Sequence, residues 1–286
     1  MTNCIEIKGL SKSYGDFALK NINLTLPGGS ILGLIGENGA GKTTTIKCIL
    51  NLIRRDAGEI SLLGYDNVRE ERLAKQDIGL VLDECFFHDT LRPLDVGKVL
   101  APAYKNWDGD LFQSYLDKFG LPEKKLIKEF SRGMKMKLSL SAALAHRPKL
   151  LILDEPTAGL DPVVRDEILD EFLGFISDED HAILMSSHIT SDLEKVADYI
   201  AYIHRGEVVL SGARDAILDS YGRVGCTAAQ LETIDPGDVL RTRKGAFGCE
   251  ALVANRAAFA RKYPMLLVER TTLEDIMLFV GKGEAK

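Results

Sequence analysis

The sequence predicts an α/β fold built on a mostly parallel sheet. Residues 31–35, 150–153 and 182–187 form three short runs rich in apolar side chains. Strands of a parallel sheet have this composition because helices cover both faces of the sheet. Segments with helical periodicity lie between the runs, and this alternation of strands and helices is typical of α/β domains.

A glycine-rich loop follows the first apolar run. Residues 36–43 read Gly-Glu-Asn-Gly-Ala-Gly-Lys-Thr, which is the spacing of a P-loop. Glycines let successive backbone N–H groups surround a phosphate chain, and the positive end of the following helix faces the same charge. In this pattern Lys42 neutralises the outer phosphates of ATP and the Thr43 hydroxyl binds Mg²⁺. The expected nucleotide contacts are Gly36, Asn38, Gly39, Ala40, Gly41, Lys42, Thr43 and Thr44. The sequence therefore predicts a P-loop NTPase core.

Composition agrees with a globular nucleotide-binding protein. The chain has 286 residues, 45% hydrophobic and 27% charged, with a formal net charge of -6. This length allows one sizeable core and a smaller appendage. The acidic balance argues against a nucleic-acid partner, which normally meets a basic stripe. No apolar run approaches the roughly 18 residues of a membrane span, and the first residues lack a signal-peptide core, so we expect a cytoplasmic protein.

The cysteines do not indicate a metal site or a disulfide framework. The chain has five cysteines, at positions 4, 48, 85, 226 and 249. They are far apart and none forms a C-x-x-C pair, so free thiols are expected.

Acidic and histidine side chains follow the other two apolar runs. Asp154 and Glu155 end the second run and His188 ends the third. Ligand groups in parallel sheets gather at the carboxyl ends of the strands. Asp154 is placed to hold Mg²⁺, directly or through water, and Glu155 is a candidate general base. A lone histidine is usually structural, but the position of His188 favours a γ-phosphate contact.

The region before the P-loop predicts an antiparallel β-layer. Ile5 and Ile7 alternate with polar residues, as Leu24 and Leu26 do again, and this is the pattern of half-buried strands. Tyr14 lies in an expected loop of this layer. Spacing alone favours an ordinary core or surface tyrosine there over an aromatic that stacks on adenine.

A helical insert, at about residues 84–145, separates the P-loop from the second apolar run. Its last segment, residues 131–145, has two competing patterns, because Met134, Met136 and Leu138 alternate like a strand. The alanine-rich second half and the N-cap residue Ser131 favour a helix. Ser131 and the Gly133 amide would then form a second anion site at a helix N-terminus.

The remaining chain predicts three helix starts and an appendage. Asp161 is expected to cap a helix, and capping boxes are expected at residues 191–194 and 271–274. We predict one domain over residues 1–215 and a small α/β extension over residues 216–286.

From about residue 3 to 215, this ordered set of motifs resembles the ATP-binding subunit of an ABC transporter. The resemblance makes residues 36–43 the Walker A loop and residues 150–154 Walker B, with Glu155 as the catalytic glutamate. It makes Asp161 the end of the D-loop and His188 the switch histidine. It also reverses the expectation for Tyr14, which falls where the family stacks an aromatic on adenine.

The resemblance further implies a head-to-tail dimer that holds two ATP molecules, each between one P-loop and the partner's signature segment. Ser131, Arg132 and Gly133 occupy the signature position. The second subunit is either another copy or a different ATPase. A separate transmembrane permease is implied, with this chain on the inner face of the membrane.

Two departures from the family pattern are visible. Arg132 and Met134 replace the first glycine and the glutamine of the signature, and Asp83 stands where a glutamine is normal. Asp83 can still ligate Mg²⁺ or water. These variants resemble exporter-type, ABC-2-like ATPase subunits.

Two alternatives stand beside a transport ATPase. Soluble ABC-type proteins act on ribosomes or DNA, but they carry two such domains or a long coiled coil, and neither feature is present here. A regulatory module that binds nucleotide without hydrolysis is the other. The presence of both Glu155 and His188 weighs against it.

Overall fold

The computed structural model describes residues 3–245 and 248–283. The strands within these ranges are β1 (Asn3–Tyr14), β2 (Phe17–Pro27), β3 (Ser30–Ile35), β4 (Ala57–Leu62), β5 (Tyr65–Asp66), β6 (Ile78–Val81), β7 (Leu150–Asp154), β8 (Ala182–Ser187), β9 (Tyr199–His204), β10 (Glu207–Ala213), β11 (Gly222–Cys226), β12 (Arg241–Gly245), β13 (Gly248–Val253) and β14 (Val268–Arg270). The α-helices are α1 (Lys42–Ile49), α2 (Glu71–Ala74), α3 (Pro93–Leu100), α4 (Gly109–Lys118), α5 (Arg132–Leu144), α6 (Pro162–Phe175), α7 (Thr190–Val196), α8 (Arg214–Ser220), α9 (Ala228–Thr233), α10 (Arg256–Lys262) and α11 (Leu273–Lys282).

The central sheet has the strand order β10-β9-β3-β8-β7-β6. All of its neighbouring strands are parallel except the β9–β10 hairpin. Strands β1, β2, β4 and β5 form a separate antiparallel layer with the order β2-β1-β4-β5. The predicted fold class is confirmed. Because β3, β7 and β8 are parallel neighbours, their carboxyl ends meet at one edge, which places the P-loop beside Asp154 and Ser187.

Two apolar cores cover the faces of the central sheet. Leu32 and Leu34 of β3 belong to the core shared with the antiparallel layer and α1. Ile31 and Ile35 belong to the core on the opposite face, where α5, α6 and α7 pack. Successive side chains of a strand point to opposite faces, so a run that is apolar throughout must be covered on both.

The helical insert between β6 and β7 packs around its own cluster, which includes Val96, Phe112, Leu116 and Leu138. The segment with two competing patterns is helix α5, as expected. Ser131 is its N-cap, and the Ser131 side chain accepts a hydrogen bond from the Met134 amide at 3.3 Å.

The C-terminal extension, residues 216–286, contains a third sheet with the order β12-β13-β11-β14. This sheet has its own cluster around Val224, Ala251 and Phe259. Helix α11 differs, because Ile276 and Phe279 join the core cluster of the central sheet. The extension is thus attached to the main body by its last helix. The boundary near residue 215 stays a prediction.

Both expected capping boxes are wrong by one residue or more. Helix α7 begins at Thr190, before Ser191, and the Glu194 carboxylate instead accepts a hydrogen bond from the Leu273 amide at 2.7 Å. The box on α11 is formed by Thr272 and Asp275. The Glu194 carboxylate therefore makes a tertiary contact that local spacing does not contain, whereas the box on α11 is local and lies one residue later than expected.

No helix within residues 3–245 and 248–283 is both long and apolar enough to cross a bilayer.

Gly206 at the turn of the β9–β10 hairpin should be required for stability. It has φ +79°, and a Cβ there would overlap the Ala18 carbonyl oxygen. We expect Gly206→Ala to lower the free energy of unfolding by roughly 2–4 kcal/mol. Urea denaturation measures this change. Gly225→Ala is the matched control, because no atom lies within 4 Å of its new Cβ. Equal decreases in the free energy of unfolding of the two variants would contradict a special requirement for glycine at position 206.

Candidate active site

The P-loop connects β3 to α1 and is supported from behind by the β9–β10 hairpin. A Cβ at Gly36 would overlap the carbonyl oxygen of Ile203, and the Ala40 carbonyl accepts a hydrogen bond from the Gly206 amide at 3.0 Å. Gly39 has φ +81° and no atom within 4 Å of where its Cβ would lie. The loop is therefore fixed on its inner side and open at Gly39. The exposed predicted contacts are Asn38, Gly39 and Thr43, the half-buried one is Thr44, and the buried ones are Gly36, Ala40, Gly41 and Lys42.

Lys42 is a buried cation with anionic and carbonyl partners. Its side chain is 6% exposed, and Nζ donates to the Gly36 carbonyl at 2.8 Å. The same ammonium lies 3.1 Å from Glu155 Oε1. A buried charge needs such compensation. The structure thus brings the P-loop lysine and the predicted general base together.

Glu155 lies directly after β7 in an unusual backbone conformation. Its φ is +52°, which costs about 1–3 kcal/mol for a residue with a side chain. The Glu155 amide donates to the Ser186 carbonyl at 3.2 Å and is 3.1 Å from Ser186 Oγ. These bonds to β8 hold the carboxylate at the edge of the sheet.

His188 is the second partner of the Glu155 carboxylate. Oε2 of Glu155 lies 2.7 Å from His188 Nδ1 and accepts from the His188 amide at 3.2 Å. Oε1 is buried and makes no hydrogen bond of acceptable geometry in the described part of the chain, although Lys42 is adjacent to it. The carboxylate therefore lies between two partners, with Oε2 at His188 and Oε1 at the Lys42 ammonium.

Asp154 is the last residue of β7, next to Glu155, and is 1% exposed. Burial raises its pKa, and the charges of Asp83 and Glu155 raise it further, whereas hydrogen bonds from Ser186 and Thr43 oppose the shift. The Asp83 carboxylate and the Thr43 hydroxyl therefore lie near the Asp154 carboxylate. Mg²⁺ is commonly held in nucleotide sites by one or two carboxylates plus phosphate oxygens and water. Thr43, Asp83 and Asp154 fit this requirement as its protein ligands.

Among residues 3–245 and 248–283, no group of three or more His, Cys, Asp or Glu side chains is arranged to hold a metal ion.

Comparison with known proteins decides the family. The model of the ABC transporter family matches residues 19–158. The lantibiotic transport ATP-binding protein SrtF of Streptococcus pyogenes is 36% identical over 214 residues, which cover 74% of this chain and 91% of that protein.

The chain belongs to the ABC transporter ATP-binding family. The linearmycin resistance ATP-binding protein LnrL of Bacillus subtilis is 35% identical over 233 residues, covering 79% of this chain and 74% of that protein. A solved structure titled as the ATP binding subunit of an ABC transporter superposes with a TM-score of 0.69 at 28% identity, covering 75% of this chain and 91% of the other. This ABC ATPase therefore binds and hydrolyses ATP as a transporter subunit.

The signature segment of this ABC ATPase lies against the first turn of α6, which directly follows the D-loop. A Cβ at Gly133 would lie 3.2 Å from Val164 Cγ1, and Asp161 caps α6 by accepting from the Val163 and Val164 amides at 3.1 Å. In the described part of the chain, no hydrogen bond or ion pair joins residues 131–133 to the P-loop. The two predicted anion sites are thus separate within one chain.

Arg132 packs against the D-loop of its own chain. Gly159 has φ +69°, and its absent Cβ would lie 3.2 Å from Arg132 Nε and 3.3 Å from Cζ. The arginine also lines a cavity of about 380 Å³ with Asp83, Glu84 and Lys135. A glycine in the D-loop therefore provides the space that an arginine in the signature segment requires.

Tyr14 ends β1 and is 46% exposed. The Lys12 ammonium lies 5.1 Å from its ring centroid. Its strand partner Phe17 was not singled out from the sequence, yet Phe17 Cζ lies 3.0 Å from where a Cβ of Gly41 would be. The role of Tyr14 at adenine stays a prediction, and Phe17 is a second aromatic beside the P-loop.

Two supporting residues were also missed. Ser186 donates to Asp154 Oδ1 at 2.5 Å and accepts from the Glu155 amide, so it orients both acids. Asp192 accepts from Thr157 and from Arg165, each at 2.6 Å, and so ties the start of the D-loop to α6 and α7. Of these two residues, only Ser186 had a signal in the sequence, because it is a polar residue near the end of an otherwise apolar run.

Lys42 should be required for nucleotide affinity. We expect Lys42→Ala to weaken ATP binding on the order of 10²-fold, because charge-assisted hydrogen bonds to phosphate are lost. Calorimetric titration with ATP measures this. Lys47→Ala is the control, since Lys47 is an exposed lysine on the same helix. Equal affinity of the Lys42→Ala variant and the unmodified chain would refute the P-loop assignment.

Proposed function

We propose that this chain hydrolyses ATP as one half of a head-to-tail ATPase pair that moves a separately encoded membrane permease. The observation that carries the proposal is the Glu155 carboxylate, held between the Lys42 ammonium at 3.1 Å and His188 Nδ1 at 2.7 Å. A carboxylate, an ammonium group and a histidine thus lie at one point of the sheet edge, and this supports the proposal. A regulatory protein that binds nucleotide without hydrolysing it does not require an oriented base beside the P-loop.

In this proposal, different residues of the chain have separate roles in ATP hydrolysis. P-loop amides and Lys42 hold the phosphates, and Lys42 exchanges the Glu155 carboxylate for phosphate oxygens. Thr43, Asp154 and Asp83 would hold Mg²⁺, which neutralises charge on the β- and γ-phosphates. Glu155 accepts a proton from the water that attacks the γ-phosphorus. His188 keeps the carboxylate oriented and is placed to contact the γ-phosphate.

The signature half of the site is supplied by the partner subunit in this proposal. Ser131, the Gly133 amide and the D-loop around Asp161 lie together at the N-termini of α5 and α6. Helix N-termini favour anions. Since these groups do not contact the P-loop of the same chain, a second subunit is needed to bring the two halves together. Both a second copy and a different ATPase subunit satisfy this requirement.

The permease is proposed to dock on the helical insert. Phe86 is 71% exposed and Val99 is 63% exposed, whereas Phe87 and Leu91 pack on the core of the insert. Exposed large apolar side chains beside a packed helical core are suited to a protein partner. The chain would then lie at the cytoplasmic, inner face of the membrane.

Export is the proposed direction of transport. The similar proteins SrtF and LnrL are named for lantibiotic transport and linearmycin resistance, and export of a compound from the cell confers resistance to it. The departures at Arg132, Met134 and Asp83 favour the same exporter-type, ABC-2-like group.

Glu155→Gln should separate binding from turnover. We expect the hydrolysis rate to fall by about 10²–10⁴, the range for loss of a positioned base. ATP affinity should be retained or increased, because Lys42 no longer has an anionic competitor for phosphate. Steady-state phosphate release and ATP calorimetry measure the two effects. Glu232→Gln, an exposed glutamate in the extension, is the control, and normal turnover in the Glu155→Gln variant would exclude Glu155 as the base.

Arg132 should stabilise the ATP-bound pair. In the Glu155→Gln background, we expect Arg132→Gly to weaken ATP-dependent dimerisation in light scattering, because a guanidinium near phosphate is lost. Arg132→Gln is the matched variant, since it keeps part of the packing on Gly159 but removes the charge. If the glycine variant dimerises as well or better at every salt concentration, the electrostatic role is wrong.

A further inference from the structure

A cleft of about 660 Å³ separates the β9–β10 hairpin from the C-terminal extension. His204, Arg205 and Val209 line it from the hairpin side, and Leu240 and Arg241 line it from the extension. Small-molecule sites have volumes of about 300–1,000 Å³ and often lie where two structural units meet. The cleft is distinct from the ATP site, because none of the residues that line it is a predicted nucleotide, metal or catalytic residue.

The rim of the cleft carries two arginines that lack an ion-pair partner among residues 3–245 and 248–283. Arg205 and Arg241 form no ion pair with any described residue, and the Arg241 guanidinium donates only to the adjacent Leu240 carbonyl, at 3.4 Å. Lys20 differs, since it is paired with Glu207 at 2.9 Å. His204 adds a buried Nδ1 that has no hydrogen-bond partner in the described ranges. Two guanidinium groups without an ion pair to a described residue therefore line one cleft, although the formal net charge of the chain is -6.

The inner part of the cleft is apolar. Leu252 and Ile276 are each 1% exposed and line its floor, whereas Val209 and Leu240 are 45% and 40% exposed at its edge. An apolar floor below a cationic rim matches a ligand with an aliphatic body and one anionic group. Arginine suits the anionic group because its planar donors pair with both oxygens of a carboxylate.

The cleft is linked to the P-loop by backbone contacts. The turn that carries His204 and Arg205 ends at Gly206, whose amide donates to the Ala40 carbonyl at 3.0 Å. On the other wall, a Cβ at Gly281 would overlap the carboxylate of Glu37 in the P-loop. Both walls of the cleft therefore touch the loop that holds the phosphates.

We propose that this cleft binds a small aliphatic carboxylate and that its occupancy changes the affinity of the P-loop for ATP. Arg205 and Arg241 bind the carboxylate, and the aliphatic body lies on Leu252 and Ile276. The effect on the P-loop passes through the turn ending at Gly206. It is reciprocal, so ATP changes the affinity for the carboxylate by the same factor.

The binding test uses n-decanoate as the probe and the full chain. Calorimetry should show saturable binding to one site, and decyltrimethylammonium, with the same tail and the opposite charge, should not bind. Arg205→Gln and Arg241→Gln should each weaken decanoate binding at least tenfold, whereas Arg261→Gln, an exposed arginine on α10, should leave it unchanged. Val209→Trp should block the cleft and abolish binding while circular dichroism stays unchanged.

Any of three results would contradict the proposed carboxylate site: no saturable binding of decanoate, equal binding of decyltrimethylammonium, or unchanged affinity for decanoate in both arginine variants. The coupling has its own readout, the affinity for a non-hydrolysable ATP analogue with and without saturating decanoate. We expect a change of at least about fivefold, the lower end of typical allosteric couplings. An unchanged affinity would overturn the coupling. Neither measurement requires hydrolysis, a dimer or a permease, so failure here is distinguishable from failure of the transport proposal.

Discussion

The buried pairing of Lys42 with Glu155 is the interaction on which the rest of the site depends. It joins the helix after β3 to the end of β7, and His188 joins the same carboxylate to the end of β8. The buried Lys42 ammonium and the half-buried Glu155 carboxylate compensate each other's charge. The ammonium can bind phosphate and the carboxylate can accept a proton. Three neighbouring parallel strands are needed to bring these groups together, so the order of the central sheet is itself a functional constraint.

The central sheet and the P-loop could be predicted because their signals are local. An apolar run, three glycines and a lysine at fixed spacing specify a strand, a turn and a helix start without reference to distant residues. The choice of helix for residues 131–145 succeeded for the same reason, through the cap at Ser131. Asp154 and Glu155 were found because strand ends meet at one edge of a parallel sheet.

What could not be predicted depends on contacts between distant segments. Glu194 was expected to cap its own helix, but its carboxylate binds the Leu273 amide instead. Phe17 approaches Gly41 only because the β1–β2 hairpin folds over the P-loop, and Arg132 is accommodated only because Gly159 lies beside it. Helix α11 likewise returns from the extension to the central core. None of these pairings leaves a periodicity or a motif in the sequence.

If a second chain completes each ATP site, the hydrolysis rate per chain must depend on protein concentration, and measuring this dependence is the most direct test. At saturating ATP, we expect the rate per chain to rise with concentration and then to level off as pairs form. Where the partner is a different ATPase, we expect this rise only when that subunit is added. A rate per chain that stays constant down to concentrations at which sedimentation shows only monomers would contradict completion of the site by a second chain.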